Sequence, residues 1–230
     1  MVVLIEKTLT LKIAILATLT LLTLTSASAH TWVSPEDGEL YNSPFNLTIE
    51  PDDPSAVSGV DFNIDYPGES SDTRAATEDD GEYYYSLEDS APSGEYSVEA
   101  EVSYSDSTNT SDSIQFTLDN SGPSIDDTNI GDNDRANNDA VSNFEVQVSD
   151  DHSEVSSVSV SADDGEGDEV FSETSEDCSD SCVFDLEDEE DLNHNSEYEI
   201  TVDVTDEAGN ENSETIDFTY DNEYEGDESP

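Results

Sequence analysis

The sequence predicts an all-β protein, two antiparallel β-sandwiches in tandem behind an N-terminal leader. Three observations carry this. Apolar and polar residues alternate with a period of two in stretch after stretch, the pattern of strands with one buried face. Residues 94–120 align without a gap on residues 196–222, at an offset of 102 and with nine identities, a period suited to a small domain used twice. Ser, Asp, Asn, Gly and Pro fill the intervals, as turns require, and no sustained helical period follows the leader.

The elements follow in chain order. Residues 1–29 read as a secretory signal: Lys7 and Lys12 lead an apolar run from Ile13 to Leu24, and Ala27-Ser28-Ala29 offers a small-residue cleavage site before His30. The run is short and Thr-rich for a span of ~20 apolar residues, and no second apolar stretch occurs, so no membrane span is expected in the mature chain. An uncleaved N-terminal anchor is the alternative. The first unit is placed at residues 30–120. Its strands are marked by Phe45, Leu47 and Ile49; by Val60, Phe62, Ile64 and Tyr66; by Tyr83 to Leu87; by Tyr96 to Tyr104; and by Ile114, Phe116 and Leu118. The second unit, residues 121–222, repeats the order with Phe144 to Val148, Val158 to Ala162, Val170-Phe171, Val183-Phe184, Tyr198 to Val204, and Ile216 to Tyr220. All seven Phe residues fall on these segments, which makes them core candidates. Residues 223–230 read as an acidic disordered tail.

The first halves of the units correspond as well. Asp52-Asp53-x-Ser55-x-Val57-Ser58-x-Val60 matches Asp150-Asp151-x-Ser153-x-Val155-Ser156-x-Val158 at an offset of 98. The second unit therefore gains a few residues later, and the acidic segment 187–195 is expected to hold part of them. About seven short strands per ~100 residues is the signature of an immunoglobulin-like sandwich.

Ser153 to Val158, Val204-Thr205 followed by Asp206-Glu207-Ala208-Gly209-Asn210, and Phe218-Thr219-Tyr220-Asp221-Asn222 resemble the recurrent pattern of bacterial-type immunoglobulin-like domains. Phe116 to Pro123 is similar to the junction by which such domains hand over to the next copy. The resemblance covers roughly residues 33–222 and implies a secreted or cell-surface protein. The first unit departs from it, with Tyr104 to Asn109 where the D-x-A-G-N turn stands in the second. The Cys…Trp…Cys spacing of antibody domains is absent.

Charge narrows the function classes. The chain has 60 acidic against 4 basic residues, a formal net charge of −56. Such a surface repels nucleic acid and anionic lipid. Its self-repulsion opposes a compact state at ordinary ionic strength and is screened in molar salt, where the Debye length is ~3 Å. The acidic, Lys-poor surface resembles that of proteins from salt-adapted microbes.

Candidate sites are few. Cys178 and Cys182 bracket a three-residue turn and, in an exported chain, are expected to form a disulfide acting as a local clip. Metal binding with His194 is the rival, short of ligands for a closed zinc site. Asn46-Leu47-Thr48 and Asn109-Thr110-Ser111 are glycosylation sequons, Asn46 outward on its strand and Asn109 in a turn. Calcium has one candidate cluster at the junction of the units, Asp119, Asn120, Asp126, Asp127, Asn129, Asp132 and Asp134, against the default of a solvated acidic face with no cofactor. A mature N-terminal His30 holding copper would need His152 or His194. Tyr83-Tyr84-Tyr85 offers rings for sugar stacking, or simply fills an edge strand. No nucleophile–base set, phosphate loop or zinc-protease motif appears. The sequence thus points to a non-catalytic extracellular or cell-surface structural or adhesive module with protein or glycan partners, alternatively an accessory, carbohydrate-binding module of a secreted hydrolase system.

Overall fold

A computed structural model describes residues 29–68, 70–186 and 192–224. The segment expected to be a leader, apart from Ala29, lies outside these residues, as do 187–191 of the acidic segment and 225–230 of the expected tail. In chain order the first half holds β1 (His30–Ser34), β2 (Leu40–Tyr41), β3 (Asn46–Pro51), β4 (Val57–Asp65), β5 (Asp72–Ala75), β6 (Thr77–Asp79), β7 (Glu82–Ser86), β8 (Gly94–Tyr104) and β9 (Asn109–Leu118). The second holds β10 (Ser124–Thr128), β11 (Asp134–Ala136), the one-turn helix α1 (Asn138–Val141), β12 (Phe144–Ser149), β13 (Val155–Asp164), β14 (Glu169–Ser175), β15 (Ser181–Phe184), β16 (Ser196–Asp206) and β17 (Glu211–Tyr220).

Each half is a two-sheet sandwich. In the first, β1-β3-β7-β6 faces β2-β9-β8-β4-β5; in the second, β10-β12-β15 faces β11-β17-β16-β13-β14. All pairings are antiparallel except β2 with β9 and β11 with β17. These short parallel pairs exist because the opening segment of each half changes sheets. Pro35 and Gly38 interrupt it in the first half, and Gly131 and Asn133, at φ 62°, in the second. The parallel pairs close alike, with the Asp119 amide donating to the Tyr41 carbonyl at 2.7 Å and the Asp221 amide to that of Ala136 at 2.8 Å.

Two separate apolar clusters form the cores, one per sandwich. Leu47, Phe62, Ile64, Tyr96, Phe116 and Leu118 anchor the first; Phe144, Val146, Phe184, Ile200 and Phe218 anchor the second. Burying each such side chain is worth ~1.5–3 kcal/mol. Four of the repeat identities, Tyr96/Tyr198, Val102/Val204, Ile114/Ile216 and Phe116/Phe218, are core positions. Tyr96 stacks on Phe116 with centroids 5.0 Å apart, and Tyr198 on Phe218 at 5.6 Å. A buried phenol needs a partner for its hydroxyl: Tyr96 donates to the Pro92 carbonyl at 2.7 Å, and Tyr198 accepts from the Asn193 amide at 2.8 Å. Both copies of the D-D-x-S-x-V-S-x-V segment also carry a register shift at the same place, Val57/Gly59 and Val155/Ser157.

The fold class is the one the alternation predicts; several details differ. The strands β5, β6, β10 and β11 carry DTRA, TED, SIDDT and DRA. They lie at or beside sheet edges with few buried side chains, so alternation does not mark them. Tyr83 to Tyr85 do not form an edge strand, because β7 is flanked by β3 and β6. Phe45 precedes β3 and is half-buried, and Thr48, expected to face out, is 8% exposed. The helix α1 is too short to show a period. Asn137 caps it, its side-chain oxygen accepting from the Ala140 amide at 3.0 Å, and Val141 is buried beneath it.

Candidate metal centre at the joint between the sandwiches

The segment joining the two sandwiches is pinned on both sides. Asn120 is tied to the first sandwich: its side-chain amide donates to the Ala91 carbonyl at 3.0 Å, and its backbone amide to the Ser93 hydroxyl at 3.1 Å. Asp119 is tied to the second. Its carboxylate accepts from the Ser153 hydroxyl at 2.7 Å and its carbonyl from the Asn210 side chain at 2.9 Å. Two residues further on, Ser121 returns to the Asp119 carboxylate through its hydroxyl at 2.8 Å, and Asn212 donates to the Pro123 carbonyl at 2.9 Å.

Asp119 therefore ends among carboxylates. Ligand oxygens of Asp119, Asp150 and Asp206 all lie within 4.8 Å of one another. Asp119 is fully buried and Asp206 is 2% exposed. Each is placed by a local device. Asp206 opens the D-x-A-G-N turn, in which Gly209 at φ +86° reverses the chain and the Asn210 amide donates to the Asp206 carboxylate at 2.8 Å. Asp150 follows β12 and receives the His152 and Ser153 amides at 2.9 and 2.8 Å. Burial pushes the Asp150 carboxyl upward, but these donors outweigh it and leave the group below the ordinary carboxylate range.

Among the described residues no basic side chain pairs with any of these three acids. The repeat supplies a contrast. Asp221 holds after β17 the place that Asp119 holds after β9, and there Arg135 and His194 both reach its carboxylate. The second copy has its countercharge built in; the first has hydroxyl donors from Ser121 and Ser153 but, among charged groups, meets only further acids. Three converging carboxylates with no nitrogen or sulfur ligand suit a hard cation such as calcium.

The structure sorts the residues singled out in the sequence. Of the proposed junction cluster only Asp119 joins this centre. Asp126 and Asp127 are exposed on β10; Asn129 serves the Asn143 carbonyl and the Glu145 amide; Asp134 accepts from the Gly131 amide; Asp132 accepts from that of Asp217. Proximity in sequence overestimated their proximity in space. Asp150 lies in the segment shared by the two halves and Asp206 in a motif quoted for family likeness, and their meeting with Asp119 is a non-local event.

Cys178 and Cys182 are disulfide-bonded, with Cα atoms 5.5 Å apart. Asn46 and Asn109 are both exposed, and each side chain is engaged, Asn46 by Ser86 and Asn109 by Glu101. His30 is 2% exposed, and burial lowers its pKa against the opposing pull of Asp112 and Asp52. His152 lies against Ser121 and His194 against Asp221. The three histidines thus have separate surroundings, and among the described residues His30 joins no group of metal-ligand spacing.

A comparison with curated protein sequences returns no match. Similar solved structures include the fibronectin(III)-like modules of CbhA from Clostridium thermocellum (15% identity, 87% of this chain and 99% of that one, TM-score 0.38). They also include a tetra-tandem repeat from the extending region of a large adhesion protein (18%, 84% and 48%, TM-score 0.34). An endo-beta-1,4-mannanase from Thermotoga petrophila matches over 41% of this chain and 20% of its own, at 16% identity and TM-score 0.34. The model of the bacterial Ig-like domain (group 3) matches residues 79–223, more than half of the chain, running from the later strands of the first sandwich through the whole of the second. The chain belongs to the bacterial Ig-like domain family, group 3.

Proposed function

We propose that the chain is a non-catalytic structural or adhesive module of the cell surface or extracellular space, working in concentrated salt. One observation carries this reading, the pinned joint. Asn120 is held by the first sandwich and Asp119 by the second, so the pair acts as one stiff element rather than two beads on a linker. A stiff element spaces and presents binding faces; it has no need of a reaction centre. The excess of 60 acidic over 4 basic residues supports a protein whose repulsion is screened by brine. Family membership, the disulfide and the leader reading support export, and exposed Asn46 and Asn109 are proposed glycan acceptors on the exported chain. Surface shaving decides the location. Intact cells in brine are treated with protease, and released peptides are read by mass spectrometry with their glycans and mature N-terminus. Peptides of residues 30–222 released before lysis are the expected result; their appearance only after lysis refutes the reading.

The same reading assigns calcium to Asp119, Asp150 and Asp206, where it would lock the joint. The contrast with Arg135 at Asp221 supports this assignment. The accessory, carbohydrate-binding reading is the second one, favoured by a cleft in the first sandwich.

A further inference from the structure

We propose that a cleft on the flank of the first sandwich binds an uncharged sugar through Tyr66, Arg74 and Tyr85. This deepens the reading of the chain as a binding module and rests on it. The cleft, about 450 Å³, is lined from both sheets. Tyr66 follows β4, Arg74 lies on the edge strand β5 of the five-stranded sheet, and Tyr85 lies on β7 of the facing sheet. Its volume falls within the ~300–1,000 Å³ of small-molecule sites.

The arginine is the informative residue. Of four basic side chains, Lys7 and Lys12 belong to the leader and Arg135 is committed to Asp221. Arg74, by contrast, lines this cleft. Its guanidinium is fixed on two sides: its carbon lies 5.8 Å from the Tyr85 ring centroid and Asp72 holds it at 2.7 Å, while Tyr66 lines the same cleft. Tyr66 is braced in turn, edge-on to Tyr96 at 5.7 Å. Groups fixed before binding lose little freedom when a ligand arrives.

The chemistry of the lining selects the ligand class. The charge of Arg74 is answered by Asp72, and Glu88 adds a second acid, so an anionic group finds no spare positive charge. Ser70, Ser71 and Ser90 make the rim polar, which disfavours an apolar guest. A pyranose meets every feature. Its C–H face stacks on tyrosine, its hydroxyls accept from the guanidinium, and they donate to the carboxylates. Stacking and hydrogen bonds to an uncharged ligand also depend less on salt than exposed ion pairs, which molar salt screens.

The test is titration calorimetry on the full chain in molar potassium chloride. The probes are neutral hexose oligomers (gluco-, manno- and galacto-configured) and, as a matched set, hexuronate oligomers. At least one neutral series is expected to bind, with Arg74→Gln and Glu88→Gln each weakening it tenfold or more at unchanged melting temperature, and the hexuronates are expected not to bind. Arg74 and Glu88 are surface residues, so these variants test the cleft even if Tyr85→Leu fails to fold. Absence of binding to all neutral series, wild-type affinity in both variants, or preference for hexuronates overturns the proposal. Surface shaving reads the module's location independently, so either claim can fail alone.

Discussion

Replacing Asp119 by Asn should change the sign of its effect on stability according to whether calcium is present. The substitution keeps shape, leaves an oxygen to accept from Ser121, turns the other position into an amide donor to the Ser153 hydroxyl, which can donate to Asp150 instead, and removes one charge from the three converging carboxylates. Two unit charges 4.8 Å apart repel by about 3 kcal/mol at an effective dielectric of ~20. Asp119 forms two such pairs, and the buried one with Asp206 is little screened by salt. With chelator, Asp119→Asn should therefore stabilise the joint, by up to a few kcal/mol. With calcium at ~100 times its dissociation constant, the wild type gains about 2.7 kcal/mol by mass action, and the variant loses most of that gain. At roughly 2–4 °C per kcal/mol for a chain of this size, both changes are visible in a thermal melt in molar potassium chloride, run with chelator and with calcium. The expected pattern is a higher melting temperature for the variant in chelator and a lower one in calcium. A wild-type melt indifferent to calcium, together with a variant less stable in both buffers, would refute the reasoning.

Other outcomes follow from the same structure. His30 has its pKa lowered by burial, so the fold favours the neutral ring. Its contribution is whole above the unfolded value of 6.5 and is lost as pH falls below it toward the folded value. His30→Leu should flatten the melting temperature between pH 7 and the lower pKa, and an unchanged slope contradicts this. Arg135→Gln strips the main countercharge from Asp221, which is 8% exposed. Because Arg135 is itself half exposed, the loss should be only about 1 kcal/mol, measured by urea unfolding in brine; a loss above ~3 kcal/mol would mean a more buried pair. Removing the disulfide by Cys178→Ser with Cys182→Ser opens so short a loop that about 2 kcal/mol is at stake. Circular dichroism should keep its sheet signature, and collapse of the second sandwich would show the clip to be essential.

Much of this fold is legible in the sequence because its information is local. Leu47 and Ile49, Phe62 and Ile64, and Tyr96 through Val102 alternate because one sheet face meets a core and the other meets water, and a repeat of Tyr96, Phe116 and Asp119 at Tyr198, Phe218 and Asp221 announces a duplicated unit. The polar strands β5, β6, β10 and β11 stay hidden because the sheet edges they occupy bury little. The carboxylate centre stays hidden for another reason. Asp119, Asp150 and Asp206 come from the end of β9, the end of β12 and the β16–β17 turn, and no period or spacing in the chain says that these three points coincide. A list of nearby acids therefore recovered Asp119 alone.

The amino-acid order alone determines the all-β class, the doubling of the unit, the pairing of Cys178 with Cys182 and the anionic surface, since alternation, repetition, short-loop geometry and charge are properties of neighbours or of sums. Only the folded chain decides which acids of many converge, why Asp221 has a counterion and Asp119 does not, and where Arg74 meets two tyrosines. Those are encounters between residues far apart in the chain, fixed by how sheets stack and how one sandwich seats on the next.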